Sequence, residues 1–521
     1  MTEVAASSAE MPPAEVPWRR LSARMLAVHP VREVLRAWPV LIGVLFLGAR
    51  SDVGGGVTGL IALGAVIVVG LLRWFTTTYR VSAEQVQVRR GLLRRETLTV
   101  PRDRVRTVDI TASPLHRLLG LALLTIGTGR TDRRNDGVKL DALTADEAAR
   151  LRVELLDRSP LAAPVDDAAG APAVPLVVRP ETVLAAFRAE WLRYAPFSLS
   201  GIVTVAITIG FLFRMANEAN IRLSQFGPVR QAGAQLSRTA IWLAAVEVAI
   251  AFVVVVAIFS TVAYVVAYWG FRLSRQPGGT LYIVRGLLTR RSITLEERRL
   301  RGAEVSEPLL VRAVGGARAV AVATGLRVGR GAERGGSLLV PPAPRAEVEQ
   351  VAGAVLGDAA PVRVALVRHG PRARQRRYTR ALLGSVALIA VLAALWRWAH
   401  WPAWPVPASL VLLPVAALLA EDRFRSLGHA LAGHVLVVRQ GSLVRRRVML
   451  VREGVIGWNL RQSLFQRRAG VVTLEATTAG GRQRYAALDV PVDVAVRLAD
   501  EAVPGLLTPF LADYGSDRSS D

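Results

Sequence analysis

The sequence predicts an α+β membrane protein in which six transmembrane helices, paired as three hairpins, alternate with three antiparallel β-barrels that each end in a helix. Three observations predict this class. Hydrophobic residues make up 52% of the 521-residue chain, long apolar runs occur in three pairs, and strand-like alternation follows each pair. A sandwich closed by one helix fits the same alternation, so the sequence leaves barrel and sandwich open.

A short motif repeats three times, once after each pair of apolar runs. In the first copy Gly91 is followed by Arg117 and Gly120, and the other two copies align with it without a gap. One structural unit used three times explains this spacing. The motif arginine could bind an anion, but its fixed distance from a glycine favours a structural turn. The aligned residues are Gly91, Arg117, Gly120, Gly286, Arg312, Gly315, Gly441, Arg467 and Gly470.

Each copy carries strand patterns followed by a helix. In the first copy Val86 and Val88 alternate with polar residues, as in a half-buried strand. Residues 135–137, with the sequence Asn-Asp-Gly, predict a hairpin turn. Residues 144–147 predict a capping box that opens the closing helix.

The three pairs of apolar runs predict helical hairpins that cross the bilayer. Arg36 and Arg73 flank the outer ends of the first hairpin, which places both termini and all three β-domains in the cytoplasm. Arginines in the connection of the second hairpin oppose this orientation, but the larger basic content after Trp269 outweighs them. We therefore expect a multi-pass protein of the cell membrane. The predicted segments are a disordered tail (1–30), hairpin one (31–73), β-domain one (74–160), a linker (161–190), hairpin two (191–269), β-domain two (270–360), a basic juxtamembrane linker (361–380), hairpin three (381–421), β-domain three (422–506) and a C-terminal tail (507–521).

The chain is strongly basic and contains no cysteine. Its formal net charge is +25, and basic surface usually binds nucleic acid or anionic lipid. No nucleic-acid recognition motif accompanies the arginines, so the apolar runs favour the membrane and anionic lipid as partners. The lack of cysteine excludes disulfides, thiolate catalysis and cysteine-ligated metals.

Arginines cluster around the first glycine of each copy, at a predicted hairpin tip. A basic tip close to a membrane anchor gains about 1 kcal/mol per charge from an anionic leaflet. A merely solvated tip is the competing interpretation, and the sequence does not separate the two. The candidate lipid or partner contacts are Arg89, Arg90, Arg94, Arg95, Arg285, Arg290, Arg291, Arg439, Arg445, Arg446 and Arg447.

Other ionisable residues show no pattern of a catalytic, cofactor or metal site. Glu247 is a carboxylate inside an apolar run, and we expect it at the outer interface. His429 and His434 are five residues apart, which suits neither one helix face nor one strand face. The arginines between residues 363 and 380 precede the fifth span, as topogenic charge does. We predict no enzymatic activity, no cofactor and no metal.

Residues 100–109 and 113–120 resemble the bacterial pleckstrin-homology-like (PH-like) domain of YdbS/YdbT-type membrane proteins. Residues 463–470 keep the arginine and glycine of this block in the third copy, whereas the second copy diverges. The resemblance covers the whole chain. It implies a bent antiparallel barrel capped by a helix and a membrane location, and it implies no shared enzymatic activity or assigned ligand.

We expect a non-enzymatic scaffold whose three cytoplasmic PH-like domains bind partner proteins or anionic lipid headgroups at the inner leaflet. Family analogy suggests envelope stress or antimicrobial resistance as the setting, and another membrane protein of the same kind as one partner. The alternative is a transporter or export accessory that uses the six spans as a pathway. The small number of polar residues within the spans weighs against this alternative.

Overall fold

The computed structural model describes residues 17–25 except 23, 75–127 except 83, 92–94 and 106, 138–156, 181–197, 240–325 and 337–507, with single positions 64, 68, 207, 210 and 214. The chain divides into two compact units, one of residues 1–175 with 289–293 and the other of residues 176–288 with 294–521. Several predicted segments lie wholly or largely outside the described residues: the tail before residue 17, the first hairpin, the Asn-Asp-Gly turn at residues 135–137, the linker before residue 181, the first arm of the second hairpin beyond residue 197, and the C-terminal tail beyond residue 507.

The first unit is built from short antiparallel strands and two helices. Its elements are β1 (Arg19–Arg20), β2 (Thr78–Val81), β3 (Gln85–Arg90), β4 (Glu96–Pro101), β5 (Thr107–Ala112), α1 (Pro114–Leu118), β6 (Leu121–Gly127), β7 (Val138–Thr144) and α2 (Ala145–Leu156). One sheet has the order β1-β2-β3-β4, and β7, β6 and β5 are neighbours in another. Residues 290–293 also belong to this unit and pair antiparallel with β5.

The core of the first unit joins both sheets and α2. Val88, Leu124 and Leu151 are among its buried residues, and Leu21 and Met25 of the N-terminal segment complete it. The two arginines of β1 pair with β2. Residues 17–25 therefore differ from the disordered tail predicted for them, because apolar burial and strand pairing offset the entropy lost on ordering.

The elements of the second copy and of the segment before it belong to the second unit, except for residues 290–293 of β11. They are β8 (Thr182–Ala186), α3 (Ile241–Tyr268), β9 (Arg272–Gln276), β10 (Thr280–Arg285), β11 (Arg290–Glu296), β12 (Leu300–Pro308), α4 (Leu309–Ala313), β13 (Gly316–Ala323), β14 (Leu338–Pro344) and α5 (Arg345–Leu356). Strand β8 lies in the predicted linker and pairs antiparallel with β9. Residues 182–186 therefore form a strand where the sequence predicted a linker.

The third copy follows in the same unit. Its elements are α6 (Ala360–Arg363), α7 (Gly370–Trp398), α8 (Pro405–Ser409), α9 (Leu412–Ser426), β15 (Gly428–Ala432), β16 (Val435–Gln440), β17 (Val444–Val451), β18 (Val455–Arg461), α10 (Leu464–Ala469), β19 (Val471–Thr478), β20 (Arg484–Pro491) and α11 (Val492–Ala502). Two boundaries differ from the prediction. The basic linker is helical from Gly370, and α9 extends to Ser426 before the first strand begins.

One order of elements occurs three times: three strands, a 3₁₀ turn, a strand, a short helix, two strands and a closing helix. Both motif glycines have a positive φ in every copy, a conformation that glycine adopts at little cost. The φ values are 108°, 107° and 106° at Gly91, Gly286 and Gly441, and 67°, 76° and 63° at Gly120, Gly315 and Gly470.

The predicted barrels do not close in the described residues. Strand β12 pairs antiparallel with β17 of the following copy, with Gly302 opposite Leu450 and Pro308 opposite Val444. The result is a six-stranded sheet of order β14-β13-β12-β17-β16-β15. A strand of the next copy thus occupies the hydrogen-bonding edge that closure within one copy would need.

Three helices in the described part of the chain are long and apolar enough to cross a bilayer: Trp242–Tyr268, Gly370–Trp398 and Pro405–Ser426. They correspond to the second arm of the second predicted hairpin and to both arms of the third. The other three predicted spans fall almost wholly outside the described residues, so the count of six remains a prediction.

The first arm of the second hairpin does not begin at Tyr194 as predicted. Residues Ala189–Phe197 form a 3₁₀ helix that buries Trp191 and Tyr194. The Trp191 indole Nε1 donates a hydrogen bond to Glu347 at 2.9 Å. These side chains pack inside the second unit, so they are unavailable to lipid.

Candidate functional site

Strand β17 carries three consecutive arginines at its junction with β12. Arg445, Arg446 and Arg447 lie opposite Glu307, Ser306 and Val305, respectively. Side chains alternate along a strand, so the first and third arginines share one face of the sheet. On the other face Arg446 forms an ion pair with the buried Glu304 at 3.3 Å.

A cavity of about 50 Å³ opens on the face of the first and third arginines. A water molecule needs about 10–15 Å³ of such space, so the cavity has room for a few waters or for a group the size of a phosphate. Four arginines, two glutamates and two valines line it: Arg345, Arg439, Arg445, Arg447, Glu307, Glu349, Val305 and Val362.

Backbone carbonyls orient two of these arginines. Arg439 donates through Nε and Nη2 to the carbonyls of Ser426 at 3.0 Å and Arg425 at 3.1 Å. Arg447 donates through Nη2 to the carbonyl of Val364 at 2.7 Å. Neutral carbonyls position a guanidinium without cancelling its charge.

Carboxylates hold the other two arginines. Arg345 donates through Nε to Glu349 at 2.7 Å and lies 3.3 Å from Glu307. Arg445 donates through Nη2 to Asp422 at 3.1 Å. The Nε atoms of both β17 cavity arginines are buried and have no hydrogen-bond partner among the described residues. Such unsatisfied donors cost free energy.

Positive charge exceeds negative charge around the cavity. Arg312 also pairs with Asp422, at 3.2 Å, so five arginines face three carboxylates. Burial lowers the pKa of Arg439 and of Arg447 below the usual arginine value, and repulsion from neighbouring arginines lowers both further. A bound anion would relieve this repulsion.

The cavity lies beside the end of α9, which belongs to a segment that is long and apolar enough to cross a bilayer. Arg439 contacts Ser426, the last residue of α9, and Arg445 contacts Asp422 one turn earlier. The apolar part of this helix ends at Ala420, about 9 Å before Ser426 at about 1.5 Å per residue. The headgroup region is about 5–8 Å thick on each side of the hydrocarbon core. A bilayer crossed by α9 would therefore place Asp422 among the lipid headgroups and Ser426 at their outer edge.

The predicted hairpin-tip arginines occupy different environments. Those of β17 lie within a paired strand, because pairing with β12 continues to Val444. Arg285 is buried beside the Tyr268 ring. Arg89 places its guanidinium 4.4 Å from the centre of the Trp18 ring. Of the others, Arg90 ends β3, Arg95 and Arg290 are exposed, Arg291 is half-buried, and Arg94 lies outside the described residues.

The motif arginines make no common site. Arg312 contacts Asp422 and, through Nη1, the carbonyl of Ser442 at 3.4 Å. Arg117 and Arg467 are exposed on α1 and α10. Identical spacing therefore places these side chains in different surroundings, because only the second copy meets α9 at this point.

Sequence reasoning missed the residues that the second copy contributes to the cavity. Arg345 and Glu349 are four residues apart on α5, a spacing typical of a helix ion pair. That spacing alone does not indicate that both residues face arginines about one hundred positions away. No motif or residue spacing in the sequence singles out Glu307.

Two buried histidines meet between the segments that flank the third hairpin. His369 precedes α7, and His429 lies on β15. The His429 Nδ1 and His369 Nε2 atoms are 3.1 Å apart, and His369 Nδ1 donates to the Leu488 carbonyl at 2.7 Å. Sequence reasoning compared His429 with His434 and missed this pair.

Acidification is expected to destabilise the region around this histidine pair. Burial lowers the pKa of His369, and burial together with repulsion from His369 lowers the pKa of His429 to about 4. A histidine with a folded pKa below its unfolded value of about 6.5 contributes stability that is present above pH 6.5 and lost as the pH falls towards 4. The Tm of the full chain should therefore fall from about pH 7 to about pH 4.5, and His429→Gln should reduce this dependence. Parallel Tm profiles would contradict the expectation.

The remaining candidate groups form no site in the described part of the chain. Glu247 is exposed on the first turns of α3. Within the described ranges, His, Asp and Glu side chains form no cluster of three or more that could hold a metal ion.

Comparison with known proteins gives one match. The family model for the bacterial PH domain matches residues 39–159 and 364–502. These regions contain the first and third occurrences of the repeated element order, each with the segment that precedes it. No curated protein and no solved structure matches the chain.

Proposed function

We propose that this bacterial PH-like domain protein is a non-enzymatic, multi-pass membrane protein that binds anionic lipid headgroups at the inner leaflet. The arginine-lined cavity beside the end of α9 carries the proposal. The basic flanks of the apolar runs favour a cytoplasmic location for both termini and for the PH-like domains.

The chemistry of the cavity suits a phosphate. Guanidinium groups offer paired donors that match phosphate oxygens, and the charge-assisted bonds that form are stronger than neutral ones. A lipid phosphate shares the leaflet in which α9 ends, so its local concentration is high. Scaffolding follows because lipid binding fixes the domains at the membrane surface, where they meet other membrane proteins.

Phosphatidylglycerol added to the full chain in detergent is expected to raise its Tm, and phosphatidylcholine is expected to have little effect. Arg439→Gln combined with Arg447→Gln should weaken phosphatidylglycerol binding about 100-fold or more, because the double variant loses two charged hydrogen bonds that are worth about 1.5–3 kcal/mol each. Titration of the Tm shift with lipid concentration gives the apparent Kd.

The matched control is Arg497→Gln, which removes an arginine exposed on α11 and should leave lipid binding unchanged. Arg439→Lys keeps the charge but loses the planar donor pair, and intermediate binding is expected. Undiminished phosphatidylglycerol binding by the double variant would refute the proposal. Equal protection by inorganic phosphate would instead identify a soluble anion as the ligand.

A further inference from the structure

The strands that join successive copies pair in one register. In the second unit Arg445 of β17 lies opposite Glu307 of β12, and in the first unit Arg290 lies opposite Ala112 of β5. In both pairs the arginine follows the first motif glycine by four positions, and its partner precedes the second motif glycine by eight. Two occurrences of one register indicate that these two strand positions are suited to pair with each other.

Two strands at these positions have an open edge in the described part of the chain. Strand β18 corresponds to β12 and ends the sheet β18-β19-β20, and β4 corresponds to β17 and ends the sheet β1-β2-β3-β4. Their burial differs accordingly. Most residues of β12 are buried, whereas β18 is buried only at Val455 and β4 only at Val100.

Apolar side chains surround the open edge of β18. Ile456 is 61% exposed and Leu460 is 41% exposed on the strand itself. Leu464 and Phe465 of the adjacent α10 are each more than 70% exposed. An open strand edge with exposed apolar side chains is a surface to which another strand can add.

A glycine on β18 matches the glycine at the β12–β17 junction. A Cβ at Gly302 of β12 would lie 2.0 Å from the carbonyl oxygen of Met449 in β17. Gly457 is the equivalent residue of β18, and a Cβ there meets no described atom within 4 Å. If β18 paired with β4 in this same register, Thr99 of β4 would occupy the position that Met449 of β17 has at the internal junction. The lack of a side chain at Gly457 therefore matters only when another strand pairs with the open edge of β18.

We propose that β18 of one chain pairs antiparallel with β4 of a second copy of this chain, in the register of the two internal junctions. Arg461 then lies opposite Glu96, and Leu460 lies opposite Thr97. Opposite charges across an antiparallel pair stabilise it. The contact joins two different surfaces, so further copies add to form a ring or an open row. This assembly does not depend on the lipid site.

Cysteine cross-linking of the full chain in membranes tests the predicted register, because the chain has no cysteine of its own. One tagged copy carries Leu460→Cys and a second, differently tagged copy carries Thr97→Cys. Oxidation should give a product of twice the chain mass that contains both tags. The control pair, Asp493→Cys with Thr97→Cys, should give at least tenfold less, since Asp493 is exposed on α11 and does not belong to the strand that the proposal pairs with β4. Absence of the mixed product, or a product of Leu460→Cys alone, would overturn the proposal.

Gly457→Val tests the same contact without a cross-link. The variant should keep the Tm of the parental chain, because the added side chain meets open space, and should lose association measured by single-molecule photobleaching in vesicles. Arg484→Val, on the opposite edge strand of the same sheet, is the matched control and should associate normally. Normal association of a folded Gly457→Val chain would overturn the proposal. If Gly457→Val lowered the Tm, its loss of association could result from misfolding, and the cross-linking experiment would then be the test of the proposal.

Discussion

Replacing Asp489 with asparagine is expected to lower the free energy of unfolding of the third copy by about 3–5 kcal/mol. Asp489 is 2% exposed on β20. It forms ion pairs with Arg376 Nε at 2.9 Å and Arg377 Nη2 at 2.6 Å, and it accepts a hydrogen bond from Gln466 at 2.8 Å. Removal of the carboxylate charge leaves two largely buried guanidinium groups, whose side chains are 18% and 13% exposed, without their counter-ion, which is the costly way to break such a pair.

Asparagine is the appropriate replacement because Asp489 has a φ of 57°, a conformation that asparagine tolerates. The substitution therefore changes the charge without imposing backbone strain. Both arginines belong to α7, so the loss should also release the first turns of this helix from β20. Hydrogen exchange measured by mass spectrometry should show faster exchange in β20 and in residues 370–380.

Asp493→Asn is the matched control for this prediction. Asp493 forms an exposed ion pair with Arg497 at 3.2 Å, and exposed pairs contribute about 0–1 kcal/mol. A similar loss of stability in both variants would show that the buried pair has no special role.

Gly302→Val is expected to cost about 3 kcal/mol or more and to separate β12 from β17. The added Cβ would lie 2.0 Å from the Met449 carbonyl oxygen and 3.0 Å from its carbonyl carbon. Strand β12 cannot shift away freely, because its other edge pairs with β13. Relief of the overlap therefore breaks backbone hydrogen bonds at the junction.

Urea denaturation of the full chain in detergent, followed by hydrogen exchange of β12 and β17, measures this effect. Gly457→Val is the control, because the same change at the equivalent strand position meets open space. Rapid exchange in both strands is expected for Gly302→Val alone. Slow exchange in both strands of Gly302→Val would contradict a rigid junction.

Local features of the chain followed from the sequence with good agreement. The motif glycines all take positive φ, and strand alternation at Val86 and Val88 corresponds to β3. These features depend on backbone sterics and on periodicity within a few residues, which a sequence contains directly. The apolar runs after residue 240 likewise correspond to long helices.

Contacts between distant residues did not follow from the sequence. The histidine pair joins residues on either side of a hairpin, and the cavity combines Arg345 of α5 with Arg447 of β17. Sequence reasoning placed the β17 arginines at a solvent-exposed tip because nothing in their spacing indicates a covering strand. Arg94 and almost all of the first hairpin lie outside the described residues, so what was expected of them remains a prediction.

A repeated module with fixed turn positions, and apolar helices between the modules, could be predicted from the amino-acid sequence alone, because local conformation and composition decide these properties. The pairing of β12 with β17, in place of closure of a barrel within one copy, is seen in the folded chain and could not be predicted from the sequence. Strand pairing uses backbone groups that every residue carries, so side-chain patterns do not specify which edge is covered. That choice of edge creates the arginine-lined cavity and leaves β18 and β4 open.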